Sequence, residues 1–219
     1  MTESEWGACT GPEALLGCVK GCASERRLRL FACACVRAAW PWTGEPDHPA
    51  VGAAERFADG QADAAALLAV RNAPWSPGTF AARFGPAKAI TVRAAATATT
   101  SPAAWSAARN AADASARIEG VPPEHPQGQC DLLRDIIASP FRPAAASPAC
   151  LTPQVVGLAR AAYDRRHLPS GELDQARLAV LADALEEAGC TDADLLNHCR
   201  RPGVHVRGCW AVDLLLGKV

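Results

Sequence analysis

Alanine occupies 48 of the 219 positions, and no other feature narrows the fold so far. Ala loses no side-chain entropy in a helix, whereas a sheet draws on β-branched and aromatic side chains to cover its faces. With 1 Tyr and 5 Phe, the chain has little such material, and no Asn-Gly or Asp-Gly turn sits between alternating apolar runs. An all-α fold without β-sheet follows, an irregular orthogonal bundle of about ten short helices.

Helix punctuation supports this reading. Ser24 caps a predicted helix through Leu28, Phe31, Cys35 and Ala39 that stops near Pro41. Asp47 or His48 precedes Pro49 and the apolar face of Val51, Ala54 and Phe57, with Asp59-Gly60 as the stop. Ser101-Pro102 opens a segment that Gly120 closes, and Thr152-Pro153 opens another before Val155, Val156, Ala159, Ala162 and Tyr163. Thr191 to Asp194 resembles a capping box with Asp in place of Glu. The predicted spans are 12–21, 25–40, 49–58, 62–72, 86–99, 102–119, 129–138, 153–166, 172–188, 192–200 and 204–216. Prolines make 121–127 and 139–151 loops. They divide the chain into an N-terminal helical part, 1–120, and a C-terminal part, 129–219, expected to pack together as one continuous domain.

Composition excludes several functions. The net charge is −1, which argues against a broad nucleic-acid or anionic-membrane surface. No run of apolar residues is long enough to span a bilayer, and no secretory signal is visible, so a cytoplasmic location with reduced thiols is expected. On that reading most of the 10 cysteines are small core hydrophobes. The phosphate-loop, dinucleotide, nucleophile-elbow and zincin motifs are all missing.

The last 48 residues, 172–219, are the most informative. Leu178, Leu181, Ala182, Leu185 and Ala188 form one stripe that Gly189 ends. A short helix with Leu195, Leu196 and Cys199 follows, Pro202-Gly203 breaks the chain, and a final helix buries Trp210. The string LADALEEAGCTDADLLNHCRRPGVHVRGCWAVDLLLGK resembles the C-terminal module of a large bacterial family whose members occur as many paralogues. SERRLRLFACACVRAAW, AERFADG, DLLRDIIASPFRP and LTPQVVGLARAAYDRR resemble the same family. The likeness covers both ends of the chain and leaves 70–120 unmatched; residues 168–174 depart from the family's usual stretch before LADALE. Some relatives carry a label of distant likeness to a class of α/β regulatory proteins, a fold that the all-α reading does not share. The resemblance implies no particular activity.

Cys190, His198, Cys199, His205 and Cys209 fall within 20 residues of one another. Soft Cys and His ligands suit zinc, and Cys190, His198, His205 and Cys209 are the candidate metal ligands. His205 and Cys209 are expected to share one helix face, although no Cys-x2-Cys knuckle is present. The bland alternative has the imidazoles capping helix ends and the thiols filling the core. A third reading makes Cys209 a nucleophile at a helix start with His205 as its base. Asp183, Glu186, Glu187, Asp192 and Asp194 read as a solvated face, with Asp183 or Asp213 able to pair with Arg200, Arg201 or Arg207. The basic run Arg26, Arg27, Arg29 and Arg37 reads as a solvated helix surface, with a phosphate patch as the alternative.

The leading functional expectation is a non-enzymatic cytoplasmic helical adaptor with an unidentified protein partner, no nucleic acid, no membrane and no cofactor. Trp40, Trp42 and Trp75 are its candidate contact residues. A small zinc-binding structural protein is the alternative, and a thiol enzyme using Cys209 is the third reading.

Overall fold

The computed structural model describes residues 1–43, 49–74, 78–142 and 145–218. Its named elements are all helical, which fits the all-α reading. They are α1 (Glu3–Ala8), α2 (Pro12–Val19), α3 (Glu25–Thr43), α4 (Pro49–Ala58), α5 (Ala64–Asn72), α6 (Gly78–Phe84) and α7 (Pro86–Ala98). Then come α8 (Ala104–Ala116), α9 (His125–Ile136), a 3-10 turn (Pro148–Cys150), α10 (Pro153–Asp164), α11 (Gln175–Glu187), α12 (Ala193–Arg200) and α13 (Trp210–Leu215). Among the described residues the only β-type pairing is one isolated antiparallel bridge, Glu172 to Val206. No helix among them is long and apolar enough to cross a membrane.

The chain divides into two units. One joins Met1–Ala8 to Arg134–Val219, and the other is Cys9–Leu133. The division falls inside α9 rather than in the proline loop that precedes it. Pro126 sits in the first turn of α9, where a missing N–H costs nothing, so the helix starts within the stretch expected to be loop.

In the unit Cys9–Leu133, α8 packs on both α3 and α7. The small side chains of Ala95, Ala96, Ala107 and Ala111 are buried there, which lets the helices approach closely. Arg29, Arg37 and Arg26 do not form the solvated surface expected of the basic run. Arg29 is buried, and its guanidinium donates to the carbonyls of Thr99 (2.8 Å), Ser101 (2.8 Å) and Pro102 (3.2 Å) beyond the end of α7. Those contacts occupy the Ser101-Pro102 corner, so α8 starts later, after Ala103, with no side-chain cap. Arg37 pairs with buried Glu55 at 2.6 Å and lies over the ring of Trp40. Arg26 reaches Asp59 at 2.9 Å. Pro41 does not end α3, because only the last turn lies beyond it and Thr43 Oγ1 donates to the Trp40 carbonyl there.

In the unit Met1–Ala8 with Arg134–Val219, α10 to α13 surround a core of Val155, Leu178, Leu181, Leu185, Leu195 and Trp210. One expected cap is present, Thr152 accepting from Val155 N at 3.2 Å; at α12 the cap is Asp192, accepting from Leu195 N at 2.9 Å, one residue after the Thr191 that the expected capping box would use. Gly189 takes φ +82°, as the end of α11 requires. The final helix is shorter than expected. Residues 201–209 are not helical, because Pro202 lacks an N–H, while Gly203 (φ 146°) and Gly208 (φ 97°) adopt left-handed conformations. The Leu173 N–H donates to the His205 carbonyl at 2.7 Å and holds this segment extended.

Candidate metal centre

Four buried side chains from separate stretches of the Arg134–Val219 part meet at one point: Asp135, His198, His205 and Cys209. Each offers one ligand atom, and those atoms lie within 4.8 Å of one another. Asp135 comes from the last turn of α9 and His198 from the last turn of α12. His205 comes from the extended segment, and Cys209 is the residue that precedes α13.

Asp135 Oδ1 is the hub. It lies 2.7 Å from His205 Nδ1 and 3.1 Å from His198 Nε2. Asp135 Oδ2 accepts the Val206 N–H at 2.8 Å, which fixes the carboxylate and turns Oδ1 toward the imidazoles. A carboxylate in the last turn of a helix opposes the helix dipole, so this placement is sustained by its partners and not by α9. Burial alone would push the Asp135 carboxyl up, but the hydrogen bonds to His198 and His205 outweigh it and hold the group below the usual range.

The His205 ring shows what the site demands. Its Nε2–H donates to the Arg201 carbonyl (3.1 Å), so Nδ1 faces the Asp135 carboxylate. Two acceptors cannot face each other without a positive charge between them, so a proton or a cation must lie on Nδ1. Burial disfavours the charged ring, but the Asp135 contact prevails and the His205 pKa is raised. A ligating histidine commonly donates its distal N–H to a carbonyl in this way, which fixes the tautomer.

His198 Nε2 also lies 3.2 Å from Cys209 Sγ. Both ring nitrogens of His205, the expected base, are taken by Asp135 and the Arg201 carbonyl. In a Cys-His-Asp relay the base uses one ring nitrogen for the thiol and the other for the carboxylate, whereas on His198 both partners share Nε2. Burial, together with the charge of Asp135, raises the Cys209 thiol pKa well above its usual value. Burial lowers that of His198. The thiol-enzyme arrangement is therefore absent at Cys209, and four donor atoms instead converge on one centre. A tetrahedral ion with bonds of about 2.0–2.3 Å spaces its ligand atoms roughly 3.3–3.8 Å apart. The contacts of 2.7, 3.1 and 3.2 Å are shorter than that, as protonated contacts are, and no pair of ligand atoms is farther apart than 4.8 Å, so the set must open slightly to take an ion.

A second network fixes Cys209. The Tyr163 hydroxyl donates to Asp213 Oδ1 at 2.6 Å and accepts the Gly208 N–H at 3.2 Å. This ties α10 to the turn just before Cys209 and to α13.

Three of the four expected ligands thus come together: His198, His205 and Cys209. Cys190 does not join them. It lies with Cys150 in the apolar core. His205 and Cys209 share no helix face, since α13 starts at Trp210. Asp135 was not expected; its one sequence signal is a lone acid between Leu133 and Ile136. Arg200 pairs with Asp183 at 2.8 Å and with Glu186, as one of the expected acidic-face pairings, while Asp213 goes to Tyr163.

The tryptophan candidates separate. Trp40 is buried and unavailable as a contact residue, Trp42 is 36% exposed, and Trp75 lies outside the described residues. No family model, curated protein or solved structure matches this chain.

Proposed function

We propose that this protein is a non-enzymatic helical module organised around one buried zinc ion. Its ligands are Asp135 Oδ1, His198 Nε2, His205 Nδ1 and Cys209 Sγ. The observation that carries the reading is the convergence of these four buried ligand atoms, one oxygen, two nitrogens and one sulfur, within 4.8 Å. One thiolate, two imidazoles and a carboxylate suit zinc, and four protein ligands with no open position make a structural site instead of a catalytic one. Second-sphere support agrees: Arg201 O holds His205, and Val206 N holds Asp135. The ion ties α9, α12 and the segment before α13 together, which hydrogen bonds between short elements achieve only weakly.

Elemental analysis of the full chain, purified from zinc-supplemented cells, tests this. One zinc per chain is expected, with an X-ray absorption first shell of one sulfur and three lighter atoms. His205→Ala and Cys209→Ala abolish stoichiometric binding, whereas Cys190→Ala retains it. Metal-free wild type that neither takes up zinc nor gains thermal stability from it sinks the reading.

A further inference from the structure

Of the four ligands, His198 alone lines a cleft of about 660 Å³ on the same unit. Trp210, whose ring centroid lies 4.6 Å from that of His198, lines it too. Asp135, His205 and Cys209 are not among its lining residues. An ion entering from this cleft meets His198 first, and an ion leaving through it must part from His198 last.

One wall of the cleft is α1, which belongs to this unit although it lies far away in sequence. Six residues make a marginal helix in water, so its folding depends on its attachments. Thr2 and Glu5 form a reciprocal capping box: Glu5 N donates to Thr2 Oγ1 at 3.2 Å, and Thr2 N donates to Glu5 Oε2 at 2.7 Å. Arg134 Nε and Nη2 both donate to the Trp6 carbonyl, at 3.1 and 2.8 Å. Glu3 pairs with Arg142 across exposed surface. The Trp6 indole is buried at 5% exposure and lines the cleft.

We infer that α1 is a strap over the entry to the metal centre, and that its release, by withdrawal of the Trp6 indole and loss of the Glu3–Arg142 pair, governs how fast the ion exchanges through His198. The three attachments differ in kind. The Trp6 anchor is an apolar burial, whereas the Glu3–Arg142 pair is solvent-exposed and weak. The strap is therefore held mainly at Trp6, by its buried indole and by the two Arg134 hydrogen bonds to its carbonyl. This inference rests on the zinc reading above and adds the route of exchange to it.

The experiment is zinc transfer from the loaded full chain to a chromogenic chelator in excess, followed by stopped-flow absorbance. Trp6→Ala is expected to release zinc roughly tenfold faster than wild type at unchanged stoichiometry and unchanged helical circular dichroism. Glu3→Gln with Arg142→Gln gives a smaller acceleration by the same route, and decides the matter if Trp6→Ala fails to fold. Val180→Ala, an exposed position on α11 outside the cleft lining, keeps the wild-type rate. Wild-type release rates in the folded strap variants overturn the inference while the measured zinc content leaves the metal reading intact. Equal acceleration by Val180→Ala overturns it as well, since the effect is then global softening. Absence of zinc from wild type removes both.

Discussion

Both units bury charge, but they resolve it in opposite ways. In Cys9–Leu133, donors meet acceptors: the Arg29 guanidinium faces three carbonyls, and Arg37 faces Glu55. Each contact is complete as it stands, so these arginines are structural pins. In the other unit the donors carry exchangeable protons. His205 Nδ1, His198 Nε2 and Cys209 Sγ gather around Asp135 Oδ1 within 4.8 Å, and each can hold a proton or, once deprotonated, offer a lone pair to an ion. Burial of charge is therefore a poor sign of function by itself; several side chains that can lose a proton and meet at one point distinguish a candidate ligand set from a pin.

The largest expected effect is that of metal removal. Chelation of the loaded protein should lower its thermal midpoint by roughly 10 °C or more, because binding free energy at a structural site is folding free energy. Calorimetry with and without chelator measures it, and an unchanged midpoint breaks the contrast between the units. Next come the two buried acids. Asp135→Ala and Glu55→Ala each strand a buried cation or its equivalent and should each cost about 3–5 kcal/mol in denaturant unfolding. Only Asp135→Ala should also lose zinc, and equal zinc content in both variants would erase the distinction.

Ala111→Leu tests the other half of the comparison. Ala111 is fully buried where α8 packs, and overpacking there should cost about 1–3 kcal/mol with zinc content unchanged.

Zinc at this cluster is expected to reverse the pH slope. In metal-free protein the raised pKa of His205 means that its pairing with Asp135 stabilises fully below the unfolded value of 6.5 and is lost as pH rises through the folded value. Arg201 opposes the charged ring from one side and His198 faces it from another. Zinc must displace the protons on His205 and Cys209, so apparent affinity should rise over the same range. Unfolding of the metal-free form and competition titrations of the loaded form, each from pH 6 to 8, read the two slopes; parallel slopes would count against ligation by His205. The smallest effect is at a cap. Asp192→Ala removes the acceptor for Leu195 N and should cost about 1 kcal/mol, loosening α12 and slightly weakening zinc binding through His198.

Much of the fold is legible in the residues. The caps at Ser24 and Thr152 and the stop at Gly189 act within one turn, so a linear reading finds them, and it places the α12 cap only one residue early, at Thr191 instead of Asp192. The Thr2–Glu5 capping box was equally readable and identifies α1, which the expected spans omit. The over-long last helix has a plain cause: Val206, Trp210 and Leu214 keep helical spacing, but Gly203 and Gly208 release the backbone to pair with residues 172–173. Proximity in sequence suggested Cys190 as a ligand, yet the apolar core takes it.

Composition and local signals determined that this chain is helical, where most of its helices begin and end, and that its tail gathers imidazoles and thiols. Those effects depend on side-chain entropy and on hydrogen bonds that close within one turn. Only the tertiary structure decided that Asp135 completes the set, 63 residues before His198 and 70 before His205. It likewise decided that α1 walls the cleft beside it. No local preference selects such partners; they are chosen by which elements a shared core brings together and by the need to partner every polar group once water is excluded.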